Sequence, residues 1–92
     1  MADTEVPGKF PVKLLFFAKS REFAGVKEDT IKVPLHLSHE ELITAITDKF
    51  PRLLPIRDTL VLAVNQEYVS DEGQLTLCEG DEVAVIPPLS GG

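Results

Sequence analysis

The 92-residue sequence predicts an α+β fold in which one main helix packs across a mixed sheet of four to five strands. Three observations lead there. Short apolar or alternating runs at 12–18, 30–33, 60–64 and 82–86 have the length and residue types of strands. A single amphipathic run after Ser38 has the period of a helix. The resulting order, strand, strand, helix, strand, short strand, strand, leaves one helix to cover one sheet.

Residues 1–9 contain Pro7-Gly8-Lys9 and no apolar periodicity, which predicts a flexible leader before a domain spanning 10–88. Val12-Lys13-Leu14-Leu15-Phe16-Phe17-Ala18 is apolar on both faces, as a strand in the middle of a sheet is. Ser20 to Ala24 suits one helical turn, with Ser20 capping its start and Gly25 supplying a left-handed stop. Thr30-Ile31-Lys32-Val33 alternates as a second strand ending at Pro34, and the short connection predicts antiparallel pairing with the first. The main helix opens with the capping box Ser38-x-x-Glu41, continues through Leu42, Ile43, Ile46 and Phe50, and stops at Pro51.

Pro55 keeps 51–58 irregular or in short turns before the buried strand Leu60–Val64. Tyr68-Val69 forms a brief edge strand after a turn at Asn65-Gln66, and Gly73 marks a loop. After the turn at Gly80-Asp81, Glu82–Ile86 is the last strand, terminated by Pro87-Pro88 because proline cannot donate into a ladder. At this length the common compact solution for such an order is the β-grasp.

Composition narrows the function. A chain of this size buries roughly 60 to 65% of its unfolded surface, enough for one modest core. No apolar run approaches the ~18 residues of a membrane span, and the acidic Met1-Ala2-Asp3-Thr4-Glu5 is unlike a targeting peptide, so the expected location is the cytosol. A formal net charge of −6 has the wrong sign for nucleic acid or an anionic membrane and favours a basic protein partner. The single cysteine, Cys78, excludes an internal disulfide and a CxxC redox pair.

The chemical feature is the tail. Pro87-Pro88 stiffens its base, and Pro87-Pro88-Leu89-Ser90-Gly91-Gly92 reaches roughly 20 Å at ~3.3 to 3.6 Å per residue. Residues 89–92 are the free tail, and Gly91-Gly92 places no Cβ near its end, so it can thread a narrow channel. A terminal carboxylate, with pKa roughly 3.5, is unreactive at neutral pH and needs activation, most simply as a mixed anhydride with AMP. The six glycines, at 8, 25, 73, 80, 91 and 92, form no phosphate loop. ATP must therefore be used by a separate activating enzyme.

Several blocks carry a resemblance to a known family: Val12–Lys19, Arg21-Glu22-x-x-Gly25, Leu62-Ala63-Val64-Asn65-x-Glu67-Tyr68-Val69, and above all Gly80-Asp81-Glu82-Val83-Ala84-Val85-Ile86-Pro87-Pro88-Leu89-Ser90-Gly91-Gly92. Over residues 12 to 92 the chain resembles the MoaD-type small subunit of molybdopterin synthase, a ubiquitin-like β-grasp protein. Cys78-Glu79 departs from the family, which more often has a proline or a polar residue before Gly-Asp; the tail is unaffected.

The resemblance implies that Gly92 is adenylated by an E1-like enzyme and then becomes a thiocarboxylate (1-thioglycine). Its sulfur passes to cyclic pyranopterin monophosphate, and two rounds build the dithiolene of molybdopterin. It also implies a large subunit that supplies the catalytic side chains, a heterotetramer of two small and two large subunits, and no permanently bound cofactor, ATP being consumed by the activating enzyme. A ubiquitin-like modifier, or a sulfur carrier for thiamine or tRNA thiolation, shares the Gly-Gly end and is the alternative.

Strand alternation adds a candidate surface. Val12, Leu14, Phe16 and Ala18 share one face of the first strand, and Lys13, Leu15, Phe17 and Lys19 share the other. With the helix over the first set, Leu15 and Phe17 lie open, joined by Ala84 or Ile86. The resemblance adds Phe17, Tyr68 and Ile86 as partner-binding residues, with Arg21 at the rim; patterning alone fits Phe17 and Ile86 equally well to a core. His36 and His39 lack a third ligand at metal spacing, so no metal is expected. Adjacent Asp81 and Glu82 point to opposite faces, and the turn accounts for Asp81. Cys78 is expected as a small buried hydrophobe rather than a sulfur relay. Glu40-Glu41 and Asp71-Glu72 are expected as solvated faces.

Overall fold

The computed structural model describes residues 8–70 and 73–87. In chain order they form β1 (Lys9–Phe16), α1 (Ala18–Ala24), β2 (Glu28–Pro34), β3 (His36–Ser38), α2 (His39–Lys49), a 3-10 segment (Pro51–Thr59), β4 (Val61–Val64), β5 (Glu67–Tyr68), β6 (Gln74–Thr76) and β7 (Glu82–Ile86). The main sheet has the order β2-β1-β7-β4-β5. Only β1 and β7 pair in parallel; β1–β2, β4–β7 and β4–β5 are antiparallel. This is the predicted mixed sheet.

The alternation of β1 sorts its side chains. Val12, Leu14 and Phe16 are buried on one face, against Val83 and Val85 of β7 and Leu62 of β4. Helix α2 lies over that face with Leu42, Ile43 and Ile46, each fully buried aliphatic side chain contributing about 1.5 to 3 kcal/mol. The capping box forms as predicted: the Glu41 amide donates to Ser38 Oγ at 3.0 Å, and the Ser38 amide donates to Glu41 Oε1 at 2.8 Å. At the other end the Phe50 ring meets Phe16 edge to face at 4.9 Å. Pro51 then ends the helix, and Pro51–Thr59 runs as two short turns joined at a kink at Ile56.

Three expectations are corrected, and one pair of strands is added to them. Lys9, assigned to the leader, pairs with Pro34 and belongs to β1; residues 1–7 of that leader lie outside the described residues. Ala18 does not continue the strand: it takes a left-handed φ of 52° and opens α1, whose N-cap is Phe17. Ser20 therefore sits three residues past the cap, although Gly25 does end the helix at φ 84° with its amide on the Arg21 carbonyl. Finally, β3 and β6 form a separate two-stranded sheet. Each has three residues with one buried leucine, Leu37 or Leu75, too little pattern to announce a strand.

The outer edge of β2 is closed by side chains. The ladder turns the Thr30 backbone away from β1, where its amide donates to Asp29 Oδ1 at 2.7 Å and its carbonyl accepts from Lys49 Nζ at 2.6 Å. Lys49 also lies 3.5 Å from Asp29 Oδ1, so the three groups form a clasp on an otherwise exposed edge.

Candidate functional site

Strand register builds one apolar row across the sheet face opposite α2. Leu15 pairs with Ala84, Ala84 with Ala63, and Ala63 with Tyr68, while Val61 pairs with Ile86 in the next row. None of these residues belongs to the core cluster, because each points away from it. Leu15, Ala84, Val61 and Ile86 are half-buried and Ala63 is buried among its neighbours, but Phe17 exposes 48% of its surface and Tyr68 75%. Exposed aromatic rings on a contiguous apolar strip make this face the candidate interaction surface.

Parallel pairing fixes where this surface stands relative to the tail. β1 and β7 run the same way, so the end at which β7 leaves the sheet is the end at which β1 turns into α1. Phe17 follows directly on the Phe16–Val85 pair, beside Ile86 and the half-buried Pro87. Arg21, exposed one helical turn on, sends its amide to the Phe17 carbonyl at 3.4 Å and so stands at the rim of the same end. Leu15, Phe17, Ile86 and Arg21 thus gather where the tail begins, and Tyr68 lies at the far end of the row on the edge strand β5. Pro88, Leu89, Ser90, Gly91 and Gly92 lie outside the described residues.

The turn that feeds β7 is held by Asp81. Its carboxylate accepts the Cys78 amide at 2.8 Å and Asn65 Nδ2 at 3.2 Å, and the Glu82 amide donates to Asn65 Oδ1 at 3.0 Å. Gly80 makes this turn at φ 88°. Asp81 is therefore structural, as expected. Cys78 is exposed, contrary to the buried position predicted for it, because the turn engages its backbone and turns its side chain outward.

Nothing else among the described residues forms a chemical centre. His36, on β3, has its Nδ1 3.3 Å from Oγ1 of Thr76 on β6, whereas His39 is on α2, and no group of three metal-binding side chains occurs among the described residues. A cleft of about 350 Å³ is bounded by His39, Glu40, Ile43, Arg57 and Val69. Arg57 donates there to Glu40 Oε2 at 2.6 Å and Thr44 Oγ1 at 3.0 Å, so its guanidinium is engaged within the protein. No described helix is long and apolar enough to cross a membrane.

Alternation found Leu15 and Phe17 but missed Val61 and Ala63, because β4 is apolar on both faces and periodicity cannot say which one is covered. It also missed Ser20, whose buried hydroxyl reaches the Val85 carbonyl at 2.6 Å.

Comparison with known proteins places the family and the fold. Residues 14–92 match the model of the ThiS family, up to and including the final glycine. The molybdopterin synthase sulfur carrier subunit of Chlamydomonas reinhardtii is 48% identical over 81 residues, covering 88% of this chain and 98% of that one. A solved structure from Pyrococcus furiosus, described as a candidate molybdopterin converting factor subunit 1, superposes with a TM-score of 0.71 at 34% identity, over 87% of this chain and 99% of that one. The Helicobacter pylori complex of molybdopterin-converting factor subunits 1 and 2 contains the same fold, with a TM-score of 0.64 at 23% identity over 90% of this chain and 100% of that one. The chain belongs to the ThiS family, as one of its MoaD-type, ubiquitin-like sulfur carrier subunits of molybdopterin synthase.

Proposed function

We propose that this protein carries sulfur on Gly92 and delivers it, docked by its open sheet face, to the active site of a large molybdopterin synthase subunit. The observation that carries the docking half is the coincidence of the apolar row and the tail base: Leu15, Phe17 and Ile86 stand at the end of the sheet from which β7 leaves. A partner that covers the row receives the tail beside it. The family match supports the chemical half, since it runs through Gly92.

The cycle has three steps on this chain. An E1-like enzyme uses ATP to convert the Gly92 carboxylate into a glycyl adenylate, releasing pyrophosphate, because a carboxylate is otherwise too poor an acyl donor. A sulfide-level sulfur then displaces AMP and leaves a thiocarboxylate. The tail, with no Cβ at Gly91 or Gly92, enters the large subunit, where its sulfur bonds to cyclic pyranopterin monophosphate and water then cleaves the acyl carbon–sulfur bond, so that the tail returns as a carboxylate. Two such deliveries complete one dithiolene, and two copies of each subunit make up the synthase. The catalytic side chains lie on the large subunit, so Gly92 is a covalent substrate presented by this protein.

Deletion of Gly92 tests the reading in a reconstituted synthase assay. Sulfur transfer is abolished, while the melting temperature stays unchanged because residue 92 lies beyond the last strand. Transfer that survives the deletion contradicts the proposal. A ubiquitin-like modifier would instead form covalent high-mass adducts through the same glycine.

A further inference from the structure

The β1–β7 ladder contains an inserted side chain at the point where it ends. The Lys13 amide donates to the Asp81 carbonyl at 2.8 Å, and in a parallel ladder of this register the rungs recur every second residue. Two rungs on, the Phe17 amide is the donor in line with the Val85 carbonyl. That bond is replaced. The Phe17 amide donates to Ser20 Oγ at 3.0 Å, and Ser20 Oγ donates to the Val85 carbonyl at 2.6 Å.

The hydroxyl has one proton and two carbonyls in reach, the second being Phe17 at 2.8 Å. The Phe17 carbonyl already accepts the Ser20 and Arg21 amides, at 3.1 and 3.4 Å, so the proton belongs on Val85. Ser20 is fully buried, and an unpaired carbonyl there has no water to turn to. The backbone shows why an insertion is needed: Ala18 at φ 52° begins α1 and lifts the chain off the sheet one residue after Phe17.

We propose that Ser20 is a positioning residue for sulfur transfer: its hydroxyl fixes the spacing between Phe17, on the docking face, and Val85, two residues before Pro87 at the base of the tail. This role rests on the sulfur-carrier reading above. A partner that grips Phe17 thereby receives the tail at a fixed offset, whereas loss of the relay lets the docking residue and the tail base shift against each other. Misplacement of reacting groups by about 1 Å lowers turnover by up to ~100-fold without any loss of binding surface.

The test uses the full chain, loaded by its activating enzyme and paired with its large subunit. Ser20→Ala is expected to raise the exchange rate of the Phe17 amide by about tenfold or more while the Leu14 amide stays protected. It is expected to lower kcat for sulfur transfer by about tenfold with the Kd for the large subunit within about twofold. Ser20→Cys, which has the same connectivity with a larger atom that is only a weak donor, should behave as Ser20→Ala if the alanine variant folds poorly, and Ser20→Thr, which keeps the hydroxyl, should recover kcat. Faster Phe17 exchange with unaltered kcat overturns the positioning role, as does a loss of kcat that Ser20→Thr leaves uncorrected. Absence of transfer from the wild-type chain overturns the sulfur-carrier reading and the positioning role with it.

Discussion

Val12, Leu14 and Phe16 point into the core, where none exposes more than 3% of its surface, while Leu15 and Phe17, interleaved with them in the same apolar run, face the other way and leave Phe17 48% exposed. The chemistry of the two sets is nearly the same. What separates them is the single layer of helix, since α2 covers one face of the sheet and leaves the other open, with Phe17 and Tyr68 exposed on it. A small domain has helix enough for one face only, so here the residues of the proposed docking face have the composition of a core.

Three substitutions probe that difference, beginning with the largest effect. Leu14→Ala removes a side chain with no exposed surface and is expected to cost about 3 kcal/mol, lowering the melting temperature by more than about 10 °C. Binding of the large subunit at temperatures where the variant is folded should be unaffected. Phe17→Ala should show the reverse: a melting temperature within a few degrees of wild type and an affinity for the large subunit weaker by about 10 to 100-fold, as for an aromatic anchor at an interface. A large loss of stability with intact affinity would place Phe17 functionally in the core and erase the distinction. Ser38→Ala acts on the covering layer, removing the oxygen that accepts the Glu41 amide. Its expected cost is about 1 kcal/mol, seen by denaturant unfolding, with no change in affinity.

The clasp at β2 gives a smaller, qualitative contrast between the two edges of the sheet. Lys49→Ala frees the Thr30 carbonyl that Lys49 occupies, and light scattering should then detect concentration-dependent association that the wild-type chain does not show. An unchanged molecular weight across concentrations would mean that Lys49 is dispensable for guarding that edge.

Legibility in the sequence followed punctuation more than composition. β7 was readable to the residue because Gly80-Asp81 precedes it and Pro87 follows, and α2 was readable from a capping box and a proline. α1 was misread at its start because nothing about an alanine announces the φ of 52° at Ala18, so the hydroxyl of Ser20 suggested a cap where the chain uses it as a rung. β3 and β6 escaped notice because pairing between distant segments, not local pattern, makes them strands. The candidate site divides the same way. The chemistry of Gly91-Gly92 needs no fold to be inferred, whereas the row from Leu15 to Tyr68 exists only once four strands are in register.

Intact-mass measurement of the full chain after incubation with ATP, its activating enzyme and a sulfur donor tests the central claim most directly. A carrier gains about 16 Da, one oxygen exchanged for sulfur on Gly92, and a chain lacking Gly92 gains nothing. An unchanged mass, or a covalent adduct the size of a second protein in place of the sulfur increment, would contradict it.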